Sequence, residues 1–271
     1  MLYLNIFYSI LFFLYGITIG SFLNVCILRI PLKETIVTTP SHCMSCGHRL
    51  AWYDLFPLFS YLFLGGKCRY CKAKISWQYP VVELLNGVVY VLTYLHLGVG
   101  DSVRQTIYTF VICIFFSTMI VLAGIDIIEQ IVPNKINLFI LVLGIIVFII
   151  DLPFFGEPIG VTWYEHLIGM FVISLPMLIL LLFGGMGGGD MKLYAAAGFL
   201  LGWKLAVLSI MAACIFGSIG SIVLMIAKKV KFGAKEHIPF VPFIALSMPV
   251  VVFWGNQFIS WYINKYFVFE S

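Results

Sequence analysis

Eight apolar runs divide this chain and restrict it to folds that sit in a lipid bilayer. A helix needs about 20 residues to cross the hydrocarbon core of a membrane, and most of the runs approach or exceed that length. Of the 271 residues, 62% are apolar and 10% are charged, whereas soluble domains carry about 25% charged residues. This composition disfavours a soluble enzyme, a secreted disulfide scaffold and a nucleic-acid-binding protein. The sequence predicts an all-α polytopic membrane protein with about eight transmembrane helices, over residues 4–28, 80–97, 105–125, 136–150, 165–183, 191–203, 204–227 and 238–258.

Basic residues lie mainly on one side of this predicted topology. Thirteen lysines and arginines lie in or beside the loops on one side, and three lie on the other. The positive-inside rule makes the first side cytoplasmic, so we expect a multi-pass protein of the cell membrane with its N-terminus outside. The first run lacks a cleavage site of the signal-peptide kind and is expected to stay as an anchor. The run 191–203 is short, and whether it crosses fully is left open, although omitting it would move the basic segment 228–235 to the outside.

Four of the seven cysteines form two C-x-x-C pairs in the polar stretch between the first two runs. Cys43 and Cys46 make one pair, Cys68 and Cys71 the other, and 21 residues separate the pairs. This spacing predicts one tetrahedral zinc site. Four cysteine ligands leave no position for water, so the zinc is expected to be structural. Disulfides are the alternative, but the charge pattern places this loop in the reducing cytoplasm.

Two acidic residues lie at predicted membrane boundaries on the cytoplasmic side. Asp126 follows the third run and Asp190 precedes the sixth, so both are expected at a similar depth. Ionisable groups at such sites usually face the interior of a helix bundle and mark function. For Asp126 the alternative is a solvated residue at the end of a span.

The chain before Asp190 is rich in glycine, with five glycines among the preceding six residues. Such a run is costly in a helix, but it permits positive φ and lets another part of the chain approach the backbone closely. A phosphate-binding loop or dinucleotide fingerprint lacks support, because neither G-K-[ST] nor a βαβ unit accompanies the glycines. A flexible linker is the other alternative.

Two carboxyl groups that meet are the minimum requirement for an aspartyl protease. Held close together they cannot both ionise easily, so one would keep its proton while the other activates a water. Asp126 and Asp190 are therefore the candidate catalytic residues. A serine triad has no comparable support, and the H-E-x-x-H motif of zinc proteases is absent from the sequence.

These residues also carry a resemblance to a known family. The chain resembles the type IV prepilin peptidases over nearly its whole length, although Met44, Leu55 and Gly65 depart from the family's common pattern. The second aspartate motif is the G-x-G-D signature that presenilin-like intramembrane proteases share. In chain order, the matching segments are residues 20–25, the two C-x-x-C pairs, residues 52–54, Pro57, residues 66–71, residues 80–84, Asp126 with Pro133 and Asn134, residues 187–190 and residues 238–243.

The resemblance implies an enzyme that cleaves prepilins or pseudopilins between a basic cytoplasmic leader and an apolar helix. It assigns the cut to Asp126 and Asp190. It also implies N-methylation of the new N-terminus from S-adenosylmethionine, and it associates Gly66 and Lys67 with that activity. The chain would then comprise a first transmembrane helix at 1–29, a cytoplasmic zinc-binding domain at 30–79 and a transmembrane peptidase domain at 80–271.

Two other classes of protein stay open at this point. A proton-coupled transporter would also carry buried acids and broken helices, but it should show polar residues at mid-span, and few are visible in the sequence. A membrane thiol oxidoreductase would use the C-x-x-C pairs, but it should place them on the outer side.

Overall fold

The structure is a computed structural model that describes residues 2–100, 102–183, 187–226 and 239–266. Within these ranges the chain is almost entirely helical and forms no strand; its only β pairing is two isolated bridges. The α-helices, in chain order, are α1 Leu2–Arg29, α2 Phe59–Phe63, α3 Gln78–Leu97, α4 Val103–Glu129, α5 Asn134–Ile150, α6 Trp163–Val172, α7 Ser174–Leu182, α8 Gly188–Leu201, α9 Trp203–Ile226 and α10 Val241–Tyr266.

Six helical segments among the described residues are long and apolar enough to cross a membrane. They are α1, α3, α4, α9, α10 and the consecutive pair α6 and α7, and they make the chain a multi-pass membrane protein. The predicted class, an all-α membrane protein with a four-cysteine loop, is confirmed. The predicted count of eight spans is not, because α5 and α8 have only 17 and 14 residues.

Several predicted boundaries differ from the observed ones. The run 165–183 is interrupted at Ile173, between α6 and α7. Pro176 explains the break, because proline has no N–H to bond the carbonyl four residues earlier and its ring crowds that carbonyl. Helix α10 continues past residue 258 to Tyr266. The predicted end at 227 and the predicted start at 238 lie outside the described residues.

The chain divides into two compact units, Met1–Ile125 and Asp126–Ser271. In the first unit α1 packs along α3 through small residues. A Cβ added at Gly16 would lie 2.7 Å from the Cα of Gly87, and one at Gly20 would lie 2.7 Å from the Cα of Glu83. Only glycine allows the two backbones to come this close, as in other small-residue contacts between membrane helices.

A buried polar network joins three helices of the first unit. The side-chain amide of Asn86 on α3 donates to the carbonyl of Gly16 on α1 at 2.7 Å. Ser117 on α4 lies 2.8 Å from the amide oxygen of Asn86 and 3.0 Å from the hydroxyl of Tyr90. The sequence did not predict this network, since its residues lie on three helices that are well separated in the chain. Such bonds stabilise helix association in lipid, where water cannot serve as partner.

In the second unit α8 packs against α5, α6 and α9, and α9 packs against α10. Polar contacts hold the end of α8 that is remote from Asp190. The buried ring of His166 lies 2.6 Å from the carbonyl oxygen of Phe199, and its other nitrogen lies 3.5 Å from Asp151. Beside it, Lys204 pairs with Glu165 at 2.7 Å. The contact of His166 with Phe199 joins α6 to α8, and the pair of Lys204 with Glu165 joins α9 to α6.

Candidate active site and metal centre

Asp126 lies in the last turn of α4 and is buried, with 6% of its surface exposed. One of its carboxylate oxygens accepts a hydrogen bond of 3.0 Å from the backbone N–H of Val241, the first residue of α10. Residues 239–243 belong to the late motif that the sequence singled out without assigning it a task. This bond and a backbone hydrogen bond from Phe240 hold the carboxylate of Asp126 against the start of α10.

Asp190 lies in the first turn of α8 and is half-buried. Its carboxylate and that of Asp126 are near enough for the charge of one to act on the other. The structure therefore places the two predicted acids within electrostatic range of each other, one at the end of α4 and the other at the start of α8. A carboxylate in the first turn of a helix also lies at the positive end of the helix dipole.

The start of α8 is held against the segment that follows α4. A Cβ at Gly189 would lie 2.8 Å from the Cβ of Val132, so a side chain has no room there. The expected close approach is thus present at Gly189. The described glycines, 187–189, do not adopt positive φ, since 188 and 189 belong to the helix and Gly187 is extended. Positions 184–186 of the glycine run lie outside the described residues.

Helix α5 supplies further contacts to the start of α8. Lys192 donates to the side-chain oxygen of Asn134 at 3.0 Å, and the amide of Asn137 reaches the carbonyl of Gly189 at 3.5 Å. Asn134 belongs to the first aspartate motif, where it follows Pro133. Its bond with Lys192 therefore connects this motif to α8, the helix of Asp190. Sequence reasoning missed the contact of Asn137 and that of the Val241 N–H.

The four cysteines of the polar loop form one cluster. Their sulfur atoms all lie within 4.8 Å of one another, and those of Cys43 and Cys71 are 3.8 Å apart. Tetrahedral zinc with bonds of about 2.3 Å places its sulfur ligands about 3.8 Å apart. None of the chain's seven cysteines is in a disulfide. The cluster can hold a metal ion, and four thiols at this spacing fit zinc.

The two C-x-x-C turns have the same backbone structure. In the first, the N–H of Cys43 bonds the carbonyl of His48 and the N–H of Gly47 bonds that of Cys43. The second repeats both bonds, with Ala73 in the place of His48 and Lys72 in the place of Gly47. An antiparallel bridge closes each turn, His42 with Arg49 and Lys67 with Lys74.

Backbone donors favour a charged sulfur in the first turn. Hydrogen bonds from the N–H groups of Cys46 and Ser45 lower the pKa of the Cys43 thiol to about 6. A thiolate is the form of cysteine that binds metals. In the first turn the backbone therefore favours the charged form of Cys43.

Asp54 joins the short helical turn Trp52–Leu55 to the second cysteine turn. It accepts hydrogen bonds from Arg69 at 2.7 Å, Tyr70 at 3.0 Å and the N–H of Ala51 at 3.2 Å. Burial raises the pKa of this carboxyl, but the hydrogen bond from Arg69 and those from Ala51 and Tyr70 outweigh burial, so the pKa lies below its ordinary value. Asp54 is thus a charged anchor for the loop.

Gly66 and Lys67 lie directly before the second cysteine turn. Gly66 has φ of +68° and its backbone packs against Tyr61, whose hydroxyl oxygen would be 2.9 Å from an added Cβ. Lys67 is exposed. The backbone of Gly66 is thus fixed, while the lysine beside it is accessible.

The comparisons with known proteins point to one family, and together they cover nearly the whole chain. Residues 14–97 match the bacterial peptidase A24 N-terminal domain, and residues 113–222 match the type IV leader peptidase family. Relatives from several bacteria carry the name prepilin leader peptidase/N-methyltransferase. That of Bacillus subtilis is 30% identical over 93% of this chain and 96% of its own length. That of Xanthomonas campestris is 31% identical over 92% of both. The Pseudomonas aeruginosa protein is 30% identical over 93% and 92%. No solved structure matches the chain significantly.

Proposed function

This chain belongs to the type IV leader peptidase family of enzymes, and we propose that it removes the basic leader from prepilins or pseudopilins by an aspartyl protease mechanism. The observation that supports the mechanism most directly is the pairing of acids in the second unit. Asp126 and Asp190 interact through their charges, and separate contacts from α10 and α5 hold each of them in place.

In the proposed reaction the acid pair shares one proton. The ionised carboxylate takes a proton from water, and the water attacks the scissile carbonyl. The protonated carboxyl donates a hydrogen bond to the oxygen that becomes negative, and later a proton goes to the departing amine. The two carboxyl groups titrate as a pair, so the shared proton is not assigned to either residue alone. The N–H of Val241 orients Asp126 for this exchange.

The cut is proposed to occur at the cytoplasmic face of the cell membrane. The excess of basic residues in the loop 30–79 supports that orientation. A prepilin carries a short basic leader followed by an apolar helix, so its scissile bond would lie at the membrane surface. Asp126 lies at the end of α4 and Asp190 at the start of α8. At these helix ends the two acids could reach a scissile bond at the membrane surface.

The zinc-binding cluster is proposed to be structural. Its four thiols fill a tetrahedral shell, so zinc would fix two cysteine turns that otherwise have little core around them. Replacing Cys43 or Cys68 by serine should lower the zinc content of the purified full-length protein from about one per chain. Cleavage should fall less than when an aspartate is replaced. Full zinc content after the loss of two cysteines would contradict the site.

The second proposed activity is methylation of the new N-terminus, with S-adenosylmethionine as the co-substrate that supplies the methyl group. The family's names support it, and Gly66 and Lys67 are the residues proposed to take part. In this assignment residues 1–29 form the first transmembrane helix, 30–79 the zinc-binding domain associated with methyl transfer and 80–271 the peptidase domain.

Both activities are tested by incubating the purified protein with a model prepilin, with and without S-adenosylmethionine. Mass spectrometry of the product should show loss of the leader in both reactions. One added methyl group should appear only when S-adenosylmethionine is present. An intact prepilin would contradict the peptidase proposal, and cleavage without a methyl group would contradict the second activity alone.

A further inference from the structure

A cluster of aromatic side chains lies exposed on the loop 30–79. Tyr53, Phe56, Phe59 and Phe63 line a groove of about 360 Å³ together with Ser60 and Arg69. Trp52 extends the cluster, with its ring 5.6 Å from that of Tyr53. These five aromatic residues, Trp52, Tyr53, Phe56, Phe59 and Phe63, are called the aromatic patch below. Their exposure reaches 77% for Trp52 and 86% for Phe63, and so much contiguous apolar surface marks an interaction site.

Two contacts hold the segment of the patch beside the start of α3. The N–H of Leu58 donates to the buried carboxylate of Glu83 at 2.7 Å. Glu83 is five residues into the helix, which places this contact about 7.5 Å along its axis. The ring of Tyr61 lies 5.5 Å from that of Trp77, the residue before the helix. Trp77 is exposed at the start of a membrane-spanning helix, where tryptophan usually marks the interface between lipid and water.

The backbone conformation of Leu58 also indicates that this segment is held beside the start of α3. Leu58 has φ of +61°, which is costly for a residue with a side chain. The bond to Glu83 holds it there and turns the chain so that the short helix α2 begins beside α3. The segment is therefore fastened beside the first turns of α3, which is one of the candidate membrane spans.

The charges around the aromatic patch identify the kind of surface it would meet. Residues 30–79 contain six lysines and arginines against two acids, and one of the acids, Asp54, is paired with Arg69. Arg49, Lys67, Lys72 and Lys74 are exposed. Aromatic side chains with basic neighbours bind to anionic lipid surfaces, where rings enter the interface and cations meet the headgroups. The same charges would repel a basic leader peptide.

We propose that the aromatic patch is a membrane-surface anchor that inserts among anionic lipid headgroups and holds the zinc-binding loop against the bilayer. This contact would fix the height of the loop above the membrane independently of metal binding and of peptide cleavage.

Photocrosslinking in the full-length protein tests this contact. A benzophenone amino acid replaces Phe63 in one variant and Phe56 in a second. It replaces Val37 in the control, which lies in the same loop, outside the patch, and is 86% exposed, as is Phe63. Each protein is reconstituted in nanodiscs that contain alkyne-tagged phosphatidylglycerol or, in parallel, alkyne-tagged phosphatidylcholine. Zinc content confirms that each variant is folded.

The patch positions should form lipid adducts several-fold more than position 37, and more with phosphatidylglycerol than with phosphatidylcholine. Arg49→Gln combined with Lys74→Gln should reduce that preference. Adducts at position 37 equal to those at 56 and 63 would overturn the proposal, and so would equal labelling by the two lipids. Replacement of the lipid adduct by a crosslink to added prepilin would make the patch a substrate site instead.

Discussion

At the scale of single residues, each of the two cysteine turns has a positive φ at the same position, and the two turns have different residues there. Gly47 has φ of +69° and Lys72, at the matching position of the other turn, has φ of +60°. Glycine adopts this conformation without strain, whereas a residue with a Cβ pays about 1 kcal/mol for it. The metal cluster therefore depends on glycine in one turn and tolerates strain in the other.

This difference predicts that two substitutions affect zinc retention differently. Gly47→Val should weaken the first turn, because a β-branched side chain is strained at positive φ, and it should speed zinc loss to a competing chelator. Lys72→Gly should slow that loss or leave it unchanged, since it relieves the strain in the second turn. Lys72→Ala is the matched control, as it removes the charge and keeps the strain. Zinc held by Gly47→Val as firmly as by the unchanged protein would contradict this view of the turns.

The sequence predicted the cysteine cluster and the two candidate acids, but it did not predict the groups that surround them. Cysteine spacing alone indicated the metal cluster, and acids at span ends indicated the candidate pair. The bond from the Val241 N–H to Asp126 leaves no such mark, because every residue except proline has that donor. Likewise, no local rule places a lysine at positive φ, so Lys72 could not be anticipated.

At the scale of helices, the start of α8 decides where Asp190 lies. Gly189 touches Val132 so closely that it admits no side chain, whereas a Cβ at Gly188 would lie 3.6 Å from Leu181, an ordinary contact. The two neighbouring glycines thus have different tasks. Gly189 permits the close approach of Val132, whereas Gly188 has room for a side chain.

Replacing each glycine by alanine separates these tasks. Gly189→Ala should push α8 away from the segment after α4 and lower prepilin cleavage by about tenfold or more, since small displacements of catalytic groups are costly. Gly188→Ala is the matched control and should retain activity, because alanine also favours the helix. The measurement is the initial rate of cleavage at equal amounts of membrane-inserted protein. Equal rates for the two variants would show that the close contact does not position Asp190.

Apolar runs predicted the existence of the helices better than their ends. Helix α1 extends over Leu2–Arg29 where 4–28 was expected, but the run 165–183 proved to be two helices. Hydropathy indicates which segments lie in lipid but carries no information about backbone conformation. It therefore misses the helix break that Pro176 causes. It also cannot decide whether 14 residues, the length of α8, cross fully.

At the scale of the whole molecule, the orientation in the membrane rests on the distribution of charge. Reporter fusions within 49–67 or 228–235 should behave as cytoplasmic, and a fusion at Gly156 should behave as external, because the basic loops stay inside. Cysteine labelling from each side of intact cells is an independent check and also tests the thiol oxidoreductase alternative. A cytoplasmic reporter at Gly156 would contradict the charge-based orientation.

The central claim is that Asp126 and Asp190 act as one catalytic unit, and their replacement by asparagine tests it most directly. Asp126→Asn and Asp190→Asn keep the size of each side chain but remove one ionisable carboxyl. Glu129→Gln is the matched control, since Glu129 is exposed three residues beyond Asp126 on the same helix. All variants should insert into the membrane, because neutralising an acid there eases insertion.

The measurement is cleavage of full-length prepilin by equal amounts of each variant, followed as a shift in mobility on a gel. Each single asparagine variant should lose most of the activity and the double variant should lose little more, because groups that act as a unit are not additive. Glu129→Gln should cleave normally. Near-normal cleavage by well-expressed Asp190→Asn would contradict the aspartyl mechanism.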